Sequence, residues 1–66
     1  MKILVVDDNA SLARAIKAFL NQEGHVADLA GSVKEGHKLL DLSSYDLVIT
    51  DLKLPDGDGL EIIRKA

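Results

Sequence analysis

The chain of 66 residues carries 8 Lys and Arg against 11 Asp and Glu, a net charge of −3, with 47% hydrophobic residues, one proline and no cysteine. This composition excludes a disordered chain, a disulfide scaffold and a basic nucleic-acid surface. The longest apolar run, Ile3–Val6, is too short for a membrane span and is followed too soon by Asp7 and Asp8 for a signal peptide, so a cytoplasmic location is expected.

Ile3–Val6 is a continuous β-branched and apolar run, the pattern of a strand buried on both faces of a parallel sheet. From Ala10 to Gly24 the period becomes helical. Leu12, Ile16, Phe19 and Leu20 share one stripe and read as core; Asn9 is the expected cap and Gly24 the expected stop. His25–Ala30, with Val26 and Leu29 its larger apolar residues, reads as an edge strand broken by Gly31. Ser32 with Glu35 three residues on makes a capping box. The helix behind it places Val33, Gly36, Leu39 and Leu40 on one side and Lys34 and Lys38 on a solvated face, and ends over Asp41–Ser44. Leu47, Val48 and Ile49 form a second strand expected to be buried on both faces, closing at Thr50 and Asp51. Leu52–Gly57, containing Pro55, reads as a loop. Asp58 and Glu61 repeat the capping-box spacing, and Leu60, Ile62, Ile63 and Arg64 begin a third helix.

Strands alternating with helices imply an α/β fold with a parallel sheet. Right-handed crossovers constrain the layout: with the second strand on one side of the first and the third on the other, the first two helices fall on opposite faces, the order is 2-1-3, and the switch point lies between the first and third strands. The two strands that end in carboxylates, at Asp7–Asp8 and at Asp51, become neighbours.

Three carboxylates at the ends of adjacent strands repel one another unless a cation neutralises them. One such aspartate is as well explained by a turn or a helix cap. Three together favour Mg²⁺, a hard cation that takes oxygen ligands, and a metal-assisted phosphoryl site. Other motifs are weaker. Gly57, Gly59 and Ile62 imitate the front of a dinucleotide fingerprint, but the third glycine is missing and the loop follows the wrong strand. Asp51-Leu-Lys-Leu lacks the second aspartate of a haloacid-dehalogenase phosphatase. His25 and His37 stand alone and read as surface or boundary residues.

Lys2–Asp8, read Lys-Ile-Leu-Val-Val-Asp-Asp, followed by Asn9, resembles the opening of bacterial two-component response regulator receiver domains. Asp46–Gly59, read Asp-Leu-Val-Ile-Thr-Asp-Leu-Lys-Leu-Pro-Asp-Gly-Asp-Gly, resembles their phosphorylation segment. The resemblance covers essentially the whole chain. It implies a flavodoxin-like fold, with Asp51 as phosphoacceptor, Asp8 as a direct Mg²⁺ ligand and Asp7 as its partner in the acidic pair. The backbone carbonyl of Lys53 would complete the protein ligands. The phosphoryl donor would be a sensor histidine kinase or a small phosphodonor, which makes the chain an acceptor and not an enzyme.

A complete receiver continues through two more strands and two more helices. Residues 1–66 are therefore expected to be one truncated receiver, half of the doubly wound sheet, without the family's later hydroxyl and lysine. Two expectations of different class follow. One is a signalling module still able to take phosphate at Asp51. The other, favoured for this chain, is a structural half-fold with little signalling activity that associates with itself. A chain this short buries only about 60% of its unfolded surface, and neither disulfide nor zinc is available to support it. A homodimer or higher closed oligomer would cover the open edge formed by Leu47, Val48 and Ile49 and the sheet face beside the first helix.

Overall fold

A computed structural model describes residues 1–65. The chain runs β1 (Lys2–Val6), α1 (Ala10–Gln22), β2 (Val26–Ala30), α2 (Val33–Leu42), β3 (Leu47–Thr50), β4 (Lys53–Leu54), β5 (Gly57–Asp58) and α3 (Gly59–Lys65). The main sheet is parallel, in the order β2-β1-β3. This is the expected order, with β2 and β3 flanking β1. In register, Val6 lies beside Ala30 on one side and Thr50 on the other, so the ends of the strands are level.

The caps follow local chemistry. Asn9 Oδ1 accepts the Leu12 amide at 3.1 Å at the start of α1. At its far end Gly24, at φ 87°, adopts the left-handed conformation that glycine tolerates best. The amides of Gly24 and His25 donate to the carbonyls of Asn21 and Leu20, a Schellman stop. Ser32 Oγ accepts from the Glu35 amide at 3.1 Å and opens α2. Asp58 caps α3 through the Leu60 amide at 2.8 Å, one residue short of the expected bond to Glu61.

β1 is the centre of the molecule: Ile3, Leu4, Val5 and Val6 are all buried. Successive strand residues face opposite sides. Leu4 and Val6 join Ala30, Val33, Leu54 and Ile62 in one core, with Leu39, Leu40, Tyr45 and Val48 packed around it. Ile62 is fully buried and lies against Gly36 of α2.

Three expectations are corrected. β3 is not buried on both faces: Leu47 and Ile49 are exposed, because β3 is the outer strand and only its α2–α3 face is covered. The stripe of α1 is not all core. Leu12 and Phe19 are exposed at 47% and 60%, while Ala13 is buried, since the close approach of α1 to the sheet falls on a small side chain. The segment from Leu52 to Gly57 is not a plain loop. Lys53 and Leu54 pair antiparallel with Asp58 and Gly57 in a two-stranded hairpin, and the apolar Leu54 drops into the core. Among the described residues no helix is long and apolar enough to cross a membrane.

Candidate functional site

The site is built at the C-terminal ends of β1 and β3. The Asp7 amide donates to the Ala30 carbonyl at 2.9 Å, and the Asp51 amide donates to the Val6 carbonyl at 2.8 Å. Both aspartates are thus held by the last rungs of the sheet, Asp7 by a bond from the end of β1 to β2 and Asp51 by a bond from the end of β3 to β1. Asp7 Oδ1 also accepts the Asn9 amide at 2.9 Å. That turn swings Asn9 into position to cap α1, so Asp7 serves as a turn residue as well as standing in the acidic group.

One oxygen from each of Asp7, Asp8 and Asp51 lies within 4.8 Å of the others. Asp7 is half-buried, and Asp8 and Asp51 are exposed. Two like charges about 4 Å apart repel by about 1 kcal/mol even in water. Within the described residues the ion pair is Lys65 Nζ to Asp41 Oδ1, at 2.8 Å, which leaves the three aspartates without a basic side chain of their own. The donor set is all oxygen and anionic. It fits a hard divalent cation such as Mg²⁺, which is content with one or two carboxylates plus water.

The backbone around Asp51 is tightly specified. Thr50 Oγ1 donates to the Asp51 carbonyl at 2.9 Å, and the Gly59 amide donates to the Leu52 carbonyl at 3.0 Å. A Cβ on Gly59 would collide with the carbonyl oxygen of Asp51, so only glycine lets α3 start this close to the site. Lys53 opens β4 and is exposed; its amide points at Asp51 Oδ1 over 3.4 Å, at the long limit of a hydrogen bond. His25 and His37 lie apart from the acidic group. His25 Nδ1 meets the N-terminal amine at 3.1 Å, and His37 Nε2 meets the Glu61 carbonyl at 3.4 Å.

Sequence reasoning passed over Asp56 at the tip of the hairpin. Its two carboxylate oxygens accept the Val33 and Lys34 amides, at 2.7 and 3.0 Å. Pro55-Asp56-Gly57 reads locally as a turn, and nothing in its spacing announces a bond to a helix more than twenty residues earlier.

A family model described as the response regulator receiver domain matches residues 3–65. The transcriptional regulatory protein PmrA of Pectobacterium parmentieri is 42% identical over 65 residues, which are 98% of this chain and 29% of PmrA. The transcriptional regulatory protein PhoP of Escherichia coli K12 is 43% identical over 65 residues, again 98% of this chain and 29% of the relative. The non-phosphorylated HemR receiver domain from Leptospira biflexa superposes with a TM-score of 0.88 at 33% identity, covering 96% of this chain and 51% of that one. The chain thus spans about half of a solved receiver and less than a third of the curated relatives.

Proposed function

The chain belongs to the response regulator receiver domains, and from that premise we propose that it is part of a cytoplasmic phosphoacceptor module whose Asp51 takes a phosphoryl group from a sensor histidine kinase or a small phosphodonor. A carboxylate oxygen of Asp51 attacks phosphorus. The bond from phosphorus to the donor's imidazole nitrogen breaks, the nitrogen keeps the electron pair, and an aspartyl phosphate remains. Bound Mg²⁺ would supply positive charge to the phosphoryl oxygens. Asp8 and Asp51 would hold the ion, with Asp7 fixing its water and the Lys53 carbonyl closing the set. The chain is the group that is modified, not a turnover catalyst. PmrA and PhoP are named transcriptional regulatory proteins, which supports a role as the input of a regulator of that kind.

The observation that carries this reading is the convergence of Asp7, Asp8 and Asp51 within 4.8 Å on two neighbouring strand ends. Incubation with Mg²⁺ and acetyl phosphate, followed by intact mass, tests it. A single phosphoryl adduct is expected, lost in Asp51→Asn. An adduct that survives in that variant would place the acceptor elsewhere.

A second reading rests on a different observation. Leu47 and Ile49 of β3 are exposed at 44% and 37%, and Leu12 and Phe19 of α1 at 47% and 60%. An open apolar edge is a template for strand pairing. A second copy related by a two-fold axis would pair β3 with β3 antiparallel and give the order 2-1-3-3-1-2. Such a homodimer places the two Asp51 sites at opposite ends of the shared sheet. Sedimentation should then give a concentration-dependent mass near twice 7.1 kDa, abolished by Ile49→Lys. A folded monomer at micromolar concentration would refute this reading and leave the first untouched.

A further inference from the structure

The hairpin that follows Asp51 is held at both ends. At its base the Gly59 amide donates to the Leu52 carbonyl at 3.0 Å, and Lys53 pairs with Asp58. Along one side Leu54 is buried in the core beside Val33. At its tip Asp56 reaches across to the first turn of α2 and takes the amides of Val33 and Lys34 at 2.7 and 3.0 Å. A Cβ on the next residue, Gly57, would lie 3.2 Å from Val33 Cγ2, so the tip is also in close packing with that turn.

These contacts complete the start of α2. A helix begins with four amides that lack intrahelical partners. Here Asp56 takes two of them, those of Val33 and Lys34, and Ser32 Oγ takes that of Glu35; the Gly36 amide donating to the Ser32 carbonyl is then the first bond of the helix itself. The amides of Lys34 and Val33 hold the Asp56 carboxyl below its ordinary value of 3.8, so it stays anionic at neutral pH. The negative end of the bond faces the positive end of the helix dipole.

We propose that Asp56 is a positioning residue for the cation site: by clamping the hairpin tip to α2 it fixes the segment after Asp51, and with it the place of the Lys53 backbone. The proposal rests on the reading of Asp7, Asp8 and Asp51 as a cation site, and it adds a group outside that set which acts through the hairpin. Without the clamp, β4 and β5 are two residues each, and a two-stranded ribbon of that length does not hold its own geometry. The bond from the Gly59 amide to the Leu52 carbonyl and the burial of Leu54 still anchor the base, but the segment from Asp51 to Lys53 is then less tightly fixed, which would weaken the hold on an ion that tolerates little distortion.

The test is a Mg²⁺ titration of the 66-residue chain followed by amide shifts in two-dimensional NMR, on the unmodified chain, Asp56→Asn and Asp56→Ala. In the unmodified chain the amides of Asp7, Asp8 and Asp51 shift, and those of Val33 and Lys34 shift with the same dissociation constant. Asp56→Ala weakens binding by about tenfold, the lower end of what groups that orient metal ligands contribute. Asp56→Asn, which keeps the size and one carbonyl acceptor, falls between. Circular dichroism confirms that each variant is folded at the titration temperature; should Asp56→Ala unfold, the Asn variant decides the matter by the same comparison. A folded variant that melts earlier yet binds Mg²⁺ as tightly as the unmodified chain shows a purely structural clamp and overturns the proposal. Absence of any shift at the three aspartates in the unmodified chain overturns the site reading itself, and this proposal with it.

Discussion

The two faces of the sheet are built from the same kinds of residue and end in different states. On one face Leu4 and Val6 are sealed by Ile62, Val33, Leu54 and Ala30 from α2, α3, the hairpin and β2. On the other, Ile3, Val5, Ala13 and Ala27 are buried, but Leu47 and Ile49 stand exposed at 44% and 37%, and Phe19 at 60%. The central strand β1 is covered on both sides by its own neighbours. The outer strand β3 is covered only where α3 folds back on it. Apolar composition therefore sets which residues want cover, and the position of the strand in the sheet decides which receive it.

The largest test of this contrast is Ile62→Ala. Ile62 is fully buried at the junction of α2, α3 and β1, and removing it should cost about 2–5 kcal/mol. That is a large share of the stability available to a chain this small, so chemical denaturation should find Ile62→Ala largely unfolded. A loss below about 1 kcal/mol would mean that the sealed face can collapse around the gap.

A second test concerns the polar lock on the same face. Tyr45 Oη donates to Asp28 Oδ2 at 2.7 Å, and Lys2 Nζ sits 5.2 Å from the centre of the Tyr45 ring. Tyr45→Phe should cost about 1 kcal/mol, because Asp28 is half-buried and recovers some water. Burial, with the bond to and the charge of Asp28, pushes the Tyr45 phenol up from 10.0 to about 12. The folded state holds this proton more tightly than the unfolded chain does. Its contribution is therefore intact below pH 10 and is lost as pH rises through about 12. Alkaline unfolding followed by circular dichroism should show this limb, and Tyr45→Phe should lack it.

On the open face the expected effect is small. Phe19→Ser, read at the lowest protein concentration that gives a signal, should change the stability of the single chain by no more than about 0.5 kcal/mol. A cost comparable to that of Ile62→Ala would erase the distinction between the faces. Smaller still is Lys65→Ala. The Lys65–Asp41 pair has side chains 40% and 63% exposed, and an exposed pair of this kind contributes a few tenths of a kcal/mol. Thermal melts in low and high salt should scarcely separate the variant from the parent.

Local signals made much of this molecule legible. The alternation of apolar runs with helical periods specified three strands and three helices, and Asn9, Gly24 and Ser32 marked helix ends where the structure has them. With the second and third strands taken to flank the first, right-handed crossovers gave the expected order, and with it the meeting of Asp7, Asp8 and Asp51. These features need only near neighbours in the chain or a rule of handedness. What needed the tertiary structure was every feature that depends on an unpredictable partner. Leu12 and Phe19 share the helical stripe of Ile16 and Leu20, yet stand exposed because no element among the described residues covers them on the open side of the sheet. Leu54 looks like a loop residue and lies in the core because the hairpin folds inward. Asp56 looks like a turn residue and holds the start of α2 because the hairpin tip meets two free amides from another part of the chain. Periodicity reports which way a side chain leans from its own backbone; burial and hydrogen bonding are decided by what the rest of the fold brings opposite it.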